Sequence, residues 1–380
     1  MSFEPIAAHG LVDPRSLPCG DAVDKGAGMH TVDSELREPL RRAFGLATGL
    51  ALLGLPLGLR AQPSSVPATA SATKPPRPIF VLNSQDASVS VIDPVSWAEQ
   101  RRIEVGKEPH HLYLTPDEKS LIVANAAGNS LTFIDPATGA VQRTVRHIVD
   151  PYHLRFSPDM KWFVTAANRL NHVDLYRWQP AEAQPFKLVK RIEAPKTPSH
   201  LFIDSRSTVV YASLQDSDEL MAIDLATQAV RWKVKTGKMP ADVFLTKDDR
   251  HLLLGLTGDR FVEVYDVSGA APRMVKRITT GDGAHAFRAR GDGRHVFVSN
   301  RVANTISMID LQTFEVAAQL PGPGGPDCME VMADGRTLLL SSRWARKLSV
   351  IDIDKRQVIR QVAVGRSPHG VWTLDHAARQ

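Results

Sequence analysis

The chain is poor in the residues that mark several large classes of protein. Its 380 residues include only two cysteines, Cys19 and Cys328, which are too few for a disulfide framework. Lys and Arg number 46 against 41 Asp and Glu, so the charge balance does not demand a nucleic-acid partner. Because 43% of the residues are hydrophobic and 23% are charged, a disordered, collagenous or coiled-coil chain is excluded for most of the length.

Long uncharged runs are also scarce, and the one near the N-terminus resembles an export signal. Arg41 and Arg42 precede the run Ala43 to Leu59, which is interrupted by Pro56 and barely long enough to span a bilayer. The arginine pair with Phe44 resembles a twin-arginine signal, with general secretion or an uncleaved anchor as the alternatives. We therefore expect a periplasmic protein with an N-terminal extension and signal over 1–61, a candidate true start at Met29, and a flexible leader over 62–78.

A repeat of about 42 residues fills the remaining chain from Ile79 onward. Aspartates close short apolar runs at intervals of 42 or 44 residues, or about twice that where one copy lacks the aspartate, at Asp93, Asp135, Asp224, Asp266, Asp310 and Asp352. Prolines keep the same spacing, with Gly283 in the sixth of seven slots, at Pro109, Pro151, Pro198, Pro240, Pro326 and Pro368. The sequence therefore contains seven copies of one structural unit.

Each copy predicts four short strands, because alternating apolar residues are separated by turn residues such as Thr115-Pro-Asp-Glu and Asp135-Pro-Ala-Thr-Gly. Four strands repeated seven times predict an all-β, seven-bladed β-propeller over 79–380. The first copy lacks an innermost strand and the last copy ends with one, from Gly370 onward. We therefore expect the C-terminal strand to complete the first blade and close the ring.

Several segments resemble the YVTN-type β-propeller repeats of the YncE-like periplasmic proteins. They are IVAN at Ile122–Asn125, SVIDP at Ser90–Pro94, VGKEPHHLYLTPD at Val105–Asp117 and VGRSPHGVW at Val364–Trp372. The resemblance covers about 300 residues and implies a seven-bladed propeller. It also makes DNA a conceivable partner. It says little about activity, since functions on this scaffold differ widely.

Metal-binding residue types concentrate just after the repeated proline. The positions two residues after the seven slots are His111, His153, His200, Asp242, His285, Cys328 and Gly370, and the positions directly after two of them are His110 and His369. Six of the 13 histidines fall in 14 positions, where chance predicts roughly one. The fold brings these positions to one wide channel mouth, where we expect only neighbouring blades to share a Cu or Zn ion, or a haem iron.

Arginines recur in the loops between the second and third strands, on the same face as the histidines. These are Arg169, Arg260, Arg301 and Arg343, and they predict a basic rim for a small anion. For the histidines, the alternatives are an organic ligand without metal or a purely structural role. For the arginines, the alternative is an ordinary solvated surface.

No nucleophile elbow, phosphate-binding loop or haem-attachment motif is present, so the sequence assigns no catalytic residue. We predict an exported, monomeric propeller that binds an anionic ligand or a protein at its His-lined, Arg-rimmed mouth. One alternative is a metal- or haem-dependent oxidoreductase or lactonase on the same scaffold. Another is a passive platform for protein or DNA. After removal of the signal, no membrane span is expected.

Overall fold

The structure is a computed structural model, and it describes residues 76–379. The predicted extension, export signal and start at Met29, and all but the last residues of the predicted leader, lie outside the described residues. Within them, no helix is long and apolar enough to cross a membrane. The helical content of the described part is a single short 3-10 turn, Gln215–Ser217.

The described chain forms seven four-stranded antiparallel sheets, which are the blades of a propeller. Written from the axis outward, blades 1 to 4 are Pro368–Thr373 (β28), Ile79–Asn83 (β1), Ser88–Ile92 (β2) and Glu99–Glu104 (β3); Pro109–Leu114 (β4), Leu121–Asn125 (β5), Ser130–Ile134 (β6) and Val141–Arg146 (β7); Pro151–Phe156 (β8), Trp162–Ala167 (β9), His172–Trp178 (β10) and Phe186–Glu193 (β11); and Pro198–Ile203 (β12), Val209–Leu214 (β13), Glu219–Asp224 (β14) and Ala229–Lys235 (β15).

Blades 5 to 7 repeat the same order from the axis outward. They are Pro240–Leu245 (β16), His251–Leu256 (β17), Phe261–Asp266 (β18) and Arg273–Thr279 (β19); Ala284–Ala289 (β20), His295–Asn300 (β21), Thr305–Asp310 (β22) and Glu315–Pro321 (β23); and Pro326–Val331 (β24), Thr337–Ser342 (β25), Lys347–Asp352 (β26) and Gln357–Ala363 (β27).

The C-terminal strand β28 closes the ring, as the sequence predicts. It pairs antiparallel with β1, in a register that sets Trp372 opposite Phe80 and Val371 opposite Val81. The first blade is thus built from both ends of the described chain, and its first and last segments hide each other's open edges. The predicted all-β, seven-bladed propeller with four-stranded blades is confirmed.

The second and third strands of each blade are more deeply buried than strict alternation predicts. All five residues of β5 are buried, whereas β7, the outer strand of the same blade, buries only Val145. Neighbouring blades cover both faces of the inner strands, and solvent covers the outer one. The apolar core therefore consists of layers between blades.

The repeated aspartates and Thr-Pro-Asp segments act as turn residues at the ends of strands. The Asp135 carboxylate accepts backbone N–H bonds from Ala137 (2.9 Å) and Thr138 (2.7 Å). Thr115 donates its hydroxyl to Asp117 and accepts the backbone N–H of Ser120. These bonds satisfy turn groups locally, which explains why the same residues recur with the repeat.

Every innermost strand carries one extra residue relative to its neighbour, immediately after the strand begins. In blade 2, Pro109 pairs with Asn125 but His111 pairs with Ala124, so His110 is the extra residue. The same one-residue shift occurs in the other six blades. Such a bulge lets two consecutive side chains point toward the channel, where strict alternation would allow only one. It lies at the start of each innermost strand, and we call this end of the channel the upper face.

Candidate functional site

The candidate site lies at the upper mouth of the central channel, where the seven bulges converge. We define an upper tier by the residue that follows the first residue of each innermost strand, and a second tier by the next residue. In blades 1 to 7 the upper tier is His369, His110, Tyr152, Ser199, Ala241, His285 and Asp327, and the second tier is Gly370, His111, His153, His200, Asp242, Ala286 and Cys328.

In blade 6, the residue equivalent to the repeated proline differs from the one predicted from the sequence. Ala284 pairs with Asn300 as Pro109 pairs with Asn125, so Ala284, and not Gly283, takes the place of the proline. Gly283 has a φ of +81°, matching the left-handed residue that precedes the proline in other blades, such as Glu108. His285 therefore belongs to the upper tier, beside Asp327 and His369.

The predicted ring is narrower and more deeply buried than a wide mouth would be. The ring centroids of His111 and His153 are 4.5 Å apart, and those of His111 and His200, two blades apart, are 5.1 Å apart. In the upper tier, His110 stacks against His369 at 3.7 Å and against Tyr152 at 3.8 Å. Consequently, side chains from three blades meet near the axis, and the rings leave no gap for a flat tetrapyrrole between them.

Five buried imidazole nitrogens in this cluster have no hydrogen-bond partner among the described residues. They are His110 Nδ1, His111 Nε2, His200 Nε2, His285 Nε2 and His369 Nε2. An unpartnered buried polar atom is costly, and a cluster of them is typical of a place that binds a ligand, an ion or water. Burial also lowers the pKa of each of these histidines. The imidazoles are therefore neutral at neutral pH, the form that binds metals.

Asp327 is the functional candidate that the sequence reasoning missed. Its side chain is fully buried, with Oδ1 3.2 Å from His285 Nε2 and 3.4 Å from His369 Nε2. The ligand atoms of these three residues all lie within 4.8 Å of one another. Asp327 directly follows Pro326, in the register of His110 and His369, and that register was the signal available in the sequence.

The hydrogen bonds made by Nδ1 bear on which nitrogen of His369 and of His285 carries the proton. His369 Nδ1 lies 2.7 Å from the backbone oxygen of His110, so it must carry the hydrogen and donate it. Thr257 lies 3.2 Å from both the Ala284 carbonyl oxygen and His285 Nδ1, and its one hydrogen can be donated to either of them. His369 Nε2 therefore presents a lone pair to Asp327, and His285 Nε2 does the same when its ring carries the proton on Nδ1.

His153 has the opposite arrangement. Its Nδ1 accepts the backbone N–H of Leu201 at 3.2 Å, so its proton sits on Nε2 in the neutral ring. This nitrogen can donate a hydrogen bond but cannot bind a cation without losing its proton. The His111, His153 and His200 set, although its ligand atoms lie within 4.8 Å, is consequently less suited to a metal than the set around Asp327.

Two of the four predicted rim arginines contact the Asp327 carboxylate, while the other two pair elsewhere. Arg301 Nη2 and Arg343 Nη1 lie 2.8 and 3.0 Å from Asp327 Oδ2. Burial alone would raise the pKa of Asp327, but the positive charge of Arg301 holds it well below its usual range. Arg169 pairs with Glu108 and Asp150 at 2.5 and 2.6 Å, and the exposed Arg260 lies 3.4 Å from Asp282.

Asp242 and Cys328 line the channel below the upper tier. The Asp242 carboxylate accepts backbone N–H bonds from Val243 and Phe287, both at 2.8 Å, and burial raises its pKa to about 6. Burial, followed by the charge of Asp327, raises the pKa of the Cys328 thiol well above its usual value. Both residues lie near the cluster, but neither contributes to the sets of convergent ligand atoms.

A chamber of about 410 Å³ continues down the axis from the second tier. Its wall is a third tier, two residues beyond the second, which in blades 1 to 7 is Trp372, Tyr113, Arg155, Phe202, Phe244, Arg288 and Glu330. The wall is thus mainly aromatic and carries three charged side chains. Residues after β28 lie across its lower end, where Ala377 donates its backbone N–H to Val331 at 2.8 Å.

Comparison with known proteins identifies the scaffold. The sequence signature of the YNCE-like beta-propeller family matches residues 48–379. No curated protein sequence matches the chain. Among solved structures, a functionally unknown protein of Desulfotomaculum acetoxidans superposes with a TM-score of 0.67 at 14% identity, covering 80% of this chain and 100% of its own.

Two further solved structures carry names that refer to a reaction. The periplasmic gluconolactonase PpgL of Pseudomonas aeruginosa has a TM-score of 0.66 at 19% identity, with 80% of this chain and 99% of its own covered. The dihydro-heme d1 dehydrogenase NirN, in complex with DHE, has a TM-score of 0.60 at 18% identity, with coverages of 79% and 75%. At these identities the similarity establishes the fold alone, and the function has to be argued from the site.

Proposed function

Because the chain belongs to the YNCE-like beta-propeller family, whose scaffold does not fix an activity, we propose a function from the mouth of the channel. The protein is an exported, periplasmic propeller that binds a first-row divalent metal ion. The ligands are His285 Nε2, His369 Nε2 and Asp327 Oδ1. One observation carries this proposal: two buried imidazole nitrogens and a buried carboxylate oxygen, each able to bind a metal ion, all lie within 4.8 Å of one another.

The spacing of these atoms suits an ion and disfavours an empty pocket. A nitrogen lone pair that faces a carboxylate oxygen at 3.2 or 3.4 Å is repelled by it unless a proton or a cation lies between them. Burial lowers the pKa of His285 to about 4, so its ring is neutral at neutral pH and one of its nitrogens is free to bind a cation. With bonds of about 2.1 Å to nitrogen, the ligands of a tetrahedral ion lie about 3.4 Å apart, which matches both distances.

The surrounding contacts hold the three ligands in place, as the outer partners of metal sites do. Arg301 and Arg343 bind Oδ2 of Asp327 and leave Oδ1 facing the histidines. The backbone oxygen of His110 receives the Nδ1 proton of His369, and the Thr257 hydroxyl lies 3.2 Å from His285 Nδ1. Each ligand is thereby oriented by a residue that would not touch the ion.

Two imidazoles and one carboxylate form a ligand set typical of zinc and of other first-row divalent ions with an open coordination position. When bound, such an ion would supply a Lewis acid and a place for one exchangeable ligand. Arg301, Arg343 and the Asp327 carboxylate together already give this mouth a net positive charge. An anion is therefore the exchangeable ligand that this site favours.

Calorimetric titration of chelator-treated protein with Zn²⁺ and Cu²⁺ tests the proposal. We expect one ion per chain in the parent, and an affinity at least 100-fold lower after His285→Gln or His369→Gln. His295→Gln is the matched control, since that ring pairs with Asp292 at 2.6 Å, outside the channel. His153→Gln should also retain binding, because its Nε2 carries the proton.

The proposed ligand set around Asp327 and the set His111, His153 and His200 make different predictions in the same experiment. Loss of affinity in His153→Gln with retention in His369→Gln would move the ion to His111, His153 and His200. A parent that binds neither ion would refute the metal site altogether. Melting curves of each variant separate loss of ligands from loss of fold.

A further inference from the structure

Arg155, in the chamber below the metal ligands, is a charged residue that the proposed metal site does not use. It occupies the third tier between the aromatic residues of the neighbouring blades, with its guanidinium carbon 5.4 Å from the Tyr113 ring centroid and 4.8 Å from that of Phe202. Its Nε donates to the Leu201 carbonyl at 3.0 Å, and its Nη1 donates to the Tyr113 hydroxyl at 2.8 Å. These contacts hold the guanidinium in a single orientation in the wall.

The charge of Arg155 has no carboxylate partner among residues 76–379. No salt bridge of the described chain involves it, and its Nη2 makes no hydrogen bond there. The chamber's other charged residues are satisfied differently. Arg288 pairs with Glu330 at 2.5 Å, Arg379 also pairs with Glu330, and Asp242 accepts two backbone N–H groups. Arg155 is therefore a lining charge with a donor to spare and no carboxylate within salt-bridge distance, whereas Arg379, whose Nε is also unpartnered among the described residues, is held by Glu330.

The rest of the wall is suited to a flat apolar group. Phe202 and Phe244 lie with their ring centroids 6.0 Å apart, and those of Phe244 and Phe287 lie 6.2 Å apart, while Tyr113 and Trp372 complete the lining on the other side of Arg155. A volume of about 410 Å³ is within the range of small-molecule sites. An aromatic wall with an oriented cation that has no carboxylate partner is complementary to a ligand that has a ring and a single negative charge.

We propose that this chamber binds a small aromatic carboxylate, whose carboxylate accepts hydrogen bonds from Arg155 and whose ring packs against the aromatic wall. The exposed Pro158 is among the lining residues, so the chamber reaches solvent beside it, next to the residues that follow β28, and this opening is the entrance. The site goes beyond the proposed metal function. It uses the third tier, and it requires no ion.

The probe is benzoate, titrated calorimetrically into chelator-treated protein. We expect one benzoate per chain, with at least tenfold weaker binding of benzamide, which has the same shape without the charge. Acetate, which has the charge without the ring, should bind at least tenfold more weakly as well. A parent that binds neither benzoate nor the larger 2-naphthoate at millimolar concentration would overturn the proposal.

Variants of arginine locate the site. Arg155→Gln should weaken benzoate binding at least tenfold, and Arg155→Lys, which keeps the charge and the packing stem, should lie between Gln and the parent. Arg143→Gln is the matched control, because Arg143 stacks over Phe133 at 4.7 Å outside the channel. Equal binding by Arg155→Gln and the parent would also overturn the proposal.

The same titration separates this proposal from the metal site. His369→Gln should lose Zn²⁺ and keep benzoate, whereas Arg155→Gln should lose benzoate and keep Zn²⁺. Loss of benzoate in His369→Gln with retention in Arg155→Gln would place the anion at the mouth and refute the chamber site. Melting curves show whether each variant folds. If Arg155→Gln does not fold, the comparison of Arg155→Lys with the parent tests the proposal.

Discussion

Closure of the propeller should depend heavily on one side chain of the last strand, Trp372. Its ring is 1% exposed and lies in a core with Phe80, whose ring centroid is 6.2 Å away. Truncation of a buried Trp to Ala costs about 3–5 kcal/mol, because the apolar surface is lost and a cavity remains. Since the whole stability of a domain is about 5–15 kcal/mol, Trp372→Ala should remove a large part of it.

Equilibrium unfolding in urea measures this cost, with Trp344→Ala as the matched control. Trp344 is 58% exposed, so its truncation should change the free energy of unfolding by about 0.5 kcal/mol or less. Trp372→Phe should cost much less than Trp372→Ala, because the buried Trp372 Nε1 has no partner among the described residues to lose. A cost below about 1 kcal/mol for Trp372→Ala would show that β28 does not hold the ring closed.

Two further predictions concern pH and export. Burial alone would raise the pKa of Asp174, but Arg191 at 2.8 Å and His172 at 3.1 Å hold it below its usual value. This stabilisation is complete above the unfolded pKa of about 4 and disappears as pH falls through the native pKa, so Asp174→Asn should flatten the acid decline of the urea midpoint. Replacing Arg41 and Arg42 by Lys should stop export if the signal is of the twin-arginine type; an unchanged periplasmic yield would contradict that type.

The fold was predictable because its signals are local and repeated seven times. Turn residues such as Asp135 satisfy backbone groups within three residues, so the same short pattern encodes the same corner in six of the seven copies. Ring closure was predictable for a related reason. The first copy lacks one strand and the last copy supplies one, a count that requires no knowledge of packing.

The site was only partly predictable, because bulges and long-range pairs leave no local signal. If side chains alternated strictly along the innermost strands, His111 and its equivalents would face the channel and Asp327 would face away from it. The bulge in each innermost strand brings both positions to the mouth. The glycine of blade 6 also resembled the missing proline, which hid the equivalence of His285 and Asp327. Which carboxylate Arg301 and Arg343 bind depends on loops and strands of adjacent blades, which sequence spacing does not reveal.

The tiers also explain how a nearly symmetric ring acquires asymmetric sites. Seven equivalent positions surround the axis at each depth, but a metal ion needs only three or four ligands, and a carboxylate needs one oriented guanidinium. In the upper tier, blades 6, 7 and 1 supply the metal ligands His285, Asp327 and His369. In the third tier, blade 3 supplies the guanidinium of Arg155. The histidines of the second tier lie between these two levels. An ion entering from the upper face and an organic anion entering from the lower face would therefore occupy the same channel without competing for a ligand.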